Sequence, residues 1–193
     1  DRYLGGIRLN NRLIKVTALF LCLSSLVIFP MNISAQEMPF ELQSKSALLM
    51  DYDTGTILYE KNPHEKLPIA SITKIMTTLL ALEAIEDGRI SLDDEVVVSE
   101  YAASMGGSQV FLAAGEKLPV SALLKAIIVA SANDASVALA EKISGTVETF
   151  VSKMNEKAKE LGMENTYFSD CTGLSDEGNY STVYDVSIMS REL

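Results

Sequence analysis

Ser71-Ile72-Thr73-Lys74 sets a hydroxyl and an amine three residues apart at the head of an amphipathic stretch. Ile72, Ile75, Met76, Leu79 and Leu80 recur at helical spacing after Pro68, and Gly88 closes the run. Residues at i and i+3 share a helix face, so the amine can reach the hydroxyl. A serine whose base is a lysine needs this arrangement, because a hydroxyl is a weak nucleophile until a neighbour takes its proton. Sixty residues on, Ser131-Ala132-Asn133 brings a second hydroxyl with an amide two positions later.

Other routes to an activated group lack their residues. A histidine base has one candidate, His64, in Asn62-Pro63-His64-Glu65-Lys66-Leu67-Pro68. Two prolines and three polar neighbours make that a solvated turn. The sequence has no G-x-S-x-G elbow. One histidine and scattered carboxylates give no metal-ligand spacing, so no metal is expected.

Residues 1–35 read as a secretory signal. Arg2, Arg8, Arg12 and Lys15 are basic; Val16 to Phe29 is apolar apart from Thr17, Ser24 and Ser25; Ile33-Ser34-Ala35 offers a cleavage site before Gln36. The apolar run is short for a membrane span, which disfavours an uncleaved anchor. Cys22 follows Leu21 rather than a small residue, so it does not read as a lipid-attachment site. Cleavage would turn 16 basic against 26 acidic residues into 12 against 25. That sign disfavours nucleic acid as a partner. It would also leave Cys171 as the single cysteine, expected to be a packed small side chain without a disulfide.

The remaining 158 residues suffice for one domain. Ser46 to Met50 and Thr56 to Tyr59 flank Asp51-Tyr52-Asp53-Thr54-Gly55 and predict a β-hairpin. Glu95 to Ser99 reads as a Val-rich strand and Gly106 to Gln109 as a loop. Ser121 is the expected N-cap of a helix whose residues Ala122 to Ala130 are almost wholly apolar, hence buried. Helices follow over 135–143 and 147–161, then a loop at Asp170-Cys171-Thr172-Gly173-Leu174. The first methionine is Met31, and the last residues, Arg191-Glu192-Leu193, stop inside a helical pattern. That pattern opens at Thr182 with Asp185 three later, an acidic variant of the capping box. Both ends are therefore expected to be internal to a longer chain.

With these residues in view, the chain resembles the serine-type D-alanyl-D-alanine carboxypeptidases, the low-molecular-mass penicillin-binding proteins of peptidase family S11. The S-x-x-K motif matches Ser71 and Lys74, and the S-x-N motif matches Ser131 and Asn133. The stretches 70–77, 107–112, 131–141 and 187–193 resemble the family as well, so the likeness covers nearly all of residues 40–193. It implies an α/β (α+β) architecture, the penicillin-binding-protein/β-lactamase-like transpeptidase fold, with an antiparallel sheet beside a helical lobe. The family's third motif, Lys-Thr-Gly or a close variant, has no match here, since no lysine or histidine is followed by Ser/Thr-Gly. It is expected downstream of Leu193, with the later strands of the sheet. Residues 36–193 would then be the N-terminal part of the catalytic domain.

The resemblance assigns roles. Ser71 is the nucleophile toward the D-alanyl-D-alanine bond of a peptidoglycan stem peptide, and Lys74 is its general base. Ser131 relays a proton toward the leaving amine, and Asn133 hydrogen-bonds the substrate. No cofactor is implied. β-Lactam antibiotics would be inhibitors, the protein would work outside the cytoplasmic membrane, and a C-terminal tail outside this chain would bind that membrane. Two other readings compete. A class A β-lactamase would need a deacylating glutamate; Glu164 falls in the right region, but Glu164-Asn165-Thr166-Tyr167 does not resemble that loop, and Ala132 replaces the usual Asp. A non-catalytic cell-wall-binding protein would have no need of Ser71, Lys74, Ser131 and Asn133 together.

The same resemblance implies that the 193-residue chain alone is inactive, since the third-motif cation and an oxyanion donor lie beyond it. Losing one oxyanion donor costs ~10²–10³ in rate. A fragment of residues 36–193 is expected to be poorly soluble, with an unpaired hairpin edge. It should not release D-alanine from diacetyl-lysyl-D-alanyl-D-alanine. A soluble fragment working at the full-length rate would contradict this.

Overall fold

The computed structural model describes residues 3–4, 7–8, 42–174 and 178–193. The chain divides into two compact units, 1–41 and 42–193. In the first, β1 (Tyr3–Leu4) and β2 (Ile7–Arg8) form a two-rung antiparallel ladder. The secretory-signal reading of residues 1–35 otherwise lies outside the described residues.

The second unit opens with the expected hairpin, β3 (Ala47–Met50) against β4 (Ile57–Lys61), antiparallel with a register shift between Leu49 and Met50. Its turn is tied by the Asp51 carboxylate, which accepts from the Thr54 N–H at 2.8 Å and the Thr54 hydroxyl at 2.6 Å. Such a side-chain turn is what Asp followed by Thr-Gly favours. Residues Leu67–Pro68 form β5, and α1 spans Thr73–Glu86. Met76, Leu79 and Leu80 are buried as their spacing predicts, while Ile72 stays exposed.

Two further strands, β6 (Glu95–Val97) and β7 (Lys117–Pro119), pair antiparallel around the short helix α2 (Glu100–Ala103). Then come α3 (Val120–Ala130), α4 (Asn133–Ser144) and α5 (Val147–Glu160). Strand β8 (Tyr180–Ser181) and α6 (Val183–Glu192) complete the described chain. Helix α4 is the centre of the unit: it packs against α1, α2, α3, α5 and β6. Its first eight residues are all buried. Ala135, Ser136, Ala138 and Ala140 are small enough to admit neighbours on every side, and Leu139 fills the remaining space at 0% exposure. Burying one such leucine is worth roughly 1.5–3 kcal/mol.

Two sequence expectations about α3 are corrected. Ser121 is not its N-cap; the helix begins at Val120 with Pro119 in the cap position. The Val120 and Ser121 N–H groups donate to the Asp94 and Leu92 carbonyls at 3.0 and 2.9 Å, so backbone does what a hydroxyl was expected to do. Nor is α3 buried all round. Leu123, Leu124 and Ile127 face α1 and α4, but Ile128 is 67% and Val129 86% exposed. The cap expected at Thr182 is present, its hydroxyl accepting from the Asp185 N–H at 3.0 Å. The Asp185 carboxylate instead holds the Asn165 N–H and the Thr166 hydroxyl.

One ladder matters most for the site. β5 pairs antiparallel with β8, Leu67 opposite Ser181 and Pro68 opposite Tyr180. The residues just before Ser71 are thereby fastened to those just after Asn179.

Candidate active site

Ser71 does not sit in the α-helix itself. It lies in a 3₁₀ turn, Ala70–Ile72, closed by the Ile72 N–H to the Ile69 carbonyl at 3.0 Å, and α1 starts two residues later. Ala70 turns into it with φ +44°, a left-handed value uncommon for a residue with a Cβ. Ser71 is exposed, whereas Lys74 in the first turn of α1 is only 5% exposed. The Lys74 Nζ stands 3.2 Å from Ser71 Oγ and 2.7 Å from the Thr172 carbonyl oxygen, to which it donates. The three-residue spacing thus does bring amine to hydroxyl.

The electrostatics suit a base. Burial pushes the Lys74 amine below the ordinary lysine range. The acidic groups of Cys171 and Asp170 oppose that shift. Burial also pushes the Cys171 thiol up to about 12, so it is neutral near pH 7. The amine's hydrogen bonds go to a hydroxyl and a carbonyl, both neutral. A carboxylate in either place would hold the proton on the nitrogen.

Ser131 terminates α3 in the left-handed conformation, φ +54° and ψ +37°. For a residue with a Cβ this costs about 1–2 kcal/mol. It lines a cleft of about 360 Å³ together with Ser71 and Lys74. The rest of that cleft is mainly apolar, with Ile75 and Leu82 from α1 and Ile127 and Ile128 from α3. Asn133 is not among the lining residues. It is 4% exposed, its amide donates to the Gly106 carbonyl at 2.8 Å, and its N–H donates to the Ser108 carbonyl at 2.7 Å. Gly107 lies so close that a Cβ there would fall 2.9 Å from the Asn133 amide nitrogen. Asp134, fully buried, accepts from the N–H groups of Val110 and Leu112 and pins the same loop to α4.

His64 is exposed and packs its ring against Tyr184 at 5.0 Å between centroids, outside the cleft lining. Glu164 is exposed and also absent from that lining. The sequence reading passed over the residues that hold Lys74 from behind. Thr172 supplies the carbonyl, Asp170 and Asn179 shape its loop, and Gly173 presses on the Ser71 turn. A Cβ on Gly173 would collide with the Ala70 carbonyl, and its φ of +78° suits glycine. The available signal was Asp170-Cys171-Thr172-Gly173, a run that favours a side-chain-closed turn.

The family description "D-alanyl-D-alanine carboxypeptidase", peptidase S11, matches residues 32–193. The chain is similar to D-alanyl-D-alanine carboxypeptidase DacF of Bacillus subtilis (strain 168), 58% identical over 151 residues, covering 78% of this chain and 39% of that protein. Among solved structures it is similar to the D-alanyl-D-alanine carboxypeptidase DacD from Francisella tularensis. The TM-score is 0.78 at 41% identity, over 80% of this chain and 37% of that one. Penicillin binding protein 5 from Haemophilus influenzae matches with a TM-score of 0.77 and 37% identity, over 80% and 46%. The chain spans less than half the length of these relatives, and it shares their transpeptidase fold.

The environment of Cys171 has a consequence in solution. At 0% exposure, with its thiol raised to about 12, it should resist iodoacetamide at pH 8 in the native protein and react once unfolded in guanidinium. Mass mapping of the alkylated peptides reads both states. Native alkylation as fast as that of a free cysteine would contradict the burial described.

Proposed function

We propose, since this chain belongs to the peptidase S11 family of D-alanyl-D-alanine carboxypeptidases, that it carries the nucleophile and base of a serine carboxypeptidase acting on peptidoglycan. The observation that carries the reading is the buried Lys74 amine 3.2 Å from an exposed serine hydroxyl. In this reading Lys74 takes the Ser71 proton as Oγ attacks the carbonyl between the two terminal D-alanines of a stem peptide. The tetrahedral oxyanion is stabilised by backbone N–H groups, that of Ser71 among them. It collapses with loss of D-alanine, whose amine receives a proton by way of Ser131. Water then hydrolyses the acyl-enzyme and restores Ser71. Asn133 lends its support through the substrate's backbone.

The lowered amine is what makes this chemistry accessible. A lysine at its ordinary pKa of ~10.4 is almost wholly protonated near neutrality and cannot accept a proton. Each unit of lowering raises the neutral fraction about tenfold. A β-lactam amide, placed where the D-alanyl-D-alanine bond would lie, acylates the same oxygen. The substrate lies outside the cytoplasm, which agrees with a secretory leader over residues 1–35. Membrane association falls to a tail outside residues 1–193.

Fluorescent penicillin on the complete protein tests the assignment. The adduct is expected on Ser71 by peptide mass mapping; an adduct on Ser131 or Ser108, with Ser71 untouched, would overturn it. Lys74→Ala should slow acylation by ~10²–10⁴. Lys74→Arg should be nearly as damaging, because a guanidinium does not give up its proton. An arginine variant with parental acylation would assign the base elsewhere.

A further inference from the structure

Lys74 is held from behind by a carbonyl 98 residues away, and the segment that delivers this carbonyl has no helix or strand of its own. Its shape comes from two side chains. Asp170 Oδ1 accepts from the Thr172 N–H at 2.6 Å, the Gly173 N–H at 2.6 Å and the Thr172 hydroxyl at 2.9 Å. These bonds curl the chain and turn the Cys171 and Thr172 carbonyls toward α1. There the first accepts from the Thr77 hydroxyl at 2.8 Å and the second from Lys74. Asn179, 6% exposed, fixes where the curl begins. Its carbonyl oxygen accepts from the Ser169 and Asp170 N–H groups at 2.6 and 3.2 Å, and its amide donates to the Thr73 hydroxyl at 2.9 Å. Thr73 stands between Ser71 and Lys74. The loop is thus bolted to the same turn of α1 that bears the reactive pair.

We propose that Asp170 and Asn179 are positioning residues of the Ser71–Lys74 site, which orient the Lys74 amine by way of the Thr172 carbonyl. The inference rests on the reading of Lys74 as the base for Ser71. A neutral amine has two N–H donors and one lone pair. A carbonyl only accepts, so the bond to Thr172 must use an N–H, and this leaves the lone pair free to turn to the Ser71 hydroxyl. Asp170 bonds backbone N–H groups, so it directs the amine through a neutral intermediary. Its charge still reaches the site. Among the described residues, the titratable groups acting on Lys74 are Cys171 and Asp170, both from this loop; Glu141 of α4 acts on Cys171; α1 and the end of α3 contribute the hydroxyls of Ser71, Thr78 and Ser131.

The two functions of Asp170 separate by substitution. Asp170→Asn keeps an acceptor oxygen for the turn and removes the charge. Without a nearby anion the protonated amine is less favoured, so the neutral amine appears at lower pH. Asp170→Ala removes the acceptor as well and lets the Thr172 carbonyl drift.

The experiment measures Ser71 acylation by fluorescent penicillin against pH in the complete protein, with melting temperature as the folding control. Asp170→Asn should lose less of the plateau rate than Asp170→Ala, as a retained acceptor implies, and move the acid limb to lower pH. Asp170→Ala should lose about 10²-fold on the plateau, the scale of a misplaced catalytic group. A parental rate in Asp170→Ala, or an unmoved acid limb in Asp170→Asn, would overturn the inference. Should Asp170→Ala not fold, the Asp170→Asn profile decides alone. A parent that is unlabelled at Ser71 would instead refute the nucleophile assignment itself, and is told apart by a Ser71→Ala control.

Discussion

A lysine amine taken out of water must find partners or lose its proton; Lys74 has partners, and burial lowers its pKa. Its side chain is buried and its nitrogen is bonded to the Thr172 carbonyl and the Ser71 hydroxyl. Burying a charge without such partners costs several kcal/mol. The neutral form avoids most of that cost, which is why burial lowers the pKa. Much of the surrounding architecture serves this single condition. The β5–β8 ladder brings residue 67 beside residue 181, and the Thr172 carbonyl reaches Lys74 of α1. The Asn179–Thr73 and Thr77–Cys171 bonds then fix the distance.

The opposite wall is built by a different principle. Ser131 ends α3 in a left-handed conformation that a serine adopts only under constraint. The constraint is the short passage into α4, whose small buried residues hold it against α1 and α3. Asn133 and Asp134, the first residues of α4, reach across to the loop 106–112 through backbone groups. The walls of the cleft are α1 and α3. The cleft between them has polar residues at the Ser71 end and apolar side chains along α1 and α3.

The local parts of this site could be read from the sequence because local rules govern them. Ser71 and Lys74 meet through helical spacing, and Ser131-Ala132-Asn133 breaks the chain between two apolar helical runs. The hairpin over 47–61 and the Thr182 cap also follow from neighbouring residues. What the sequence hid was long-range or depended on packing. Nothing near Lys74 announces that its acceptor is a backbone carbonyl from Thr172, since any residue type supplies a carbonyl. Asp170 and Asn179 read as ordinary loop residues until the ladder closes. The Ser121 expectation failed because the Leu92 and Asp94 carbonyls already bonded the first N–H groups of α3. The expectation of an all-buried α3 failed because apolar composition says how much of a helix is greasy, not which neighbours it has. Ile128 and Val129 remain exposed.

As the base for Ser71, Lys74 has to be neutral when the serine gives up its proton. Its amine can be followed directly by ¹³C NMR of the Cε position in complete protein labelled at lysine, with Lys74→Arg used to assign the signal. A titration below the ordinary lysine value of ~10.4 is expected. A Lys74 signal titrating at or above that value would contradict it, because the amine would then be a permanent cation beside Ser71 and another group would have to take the serine's proton.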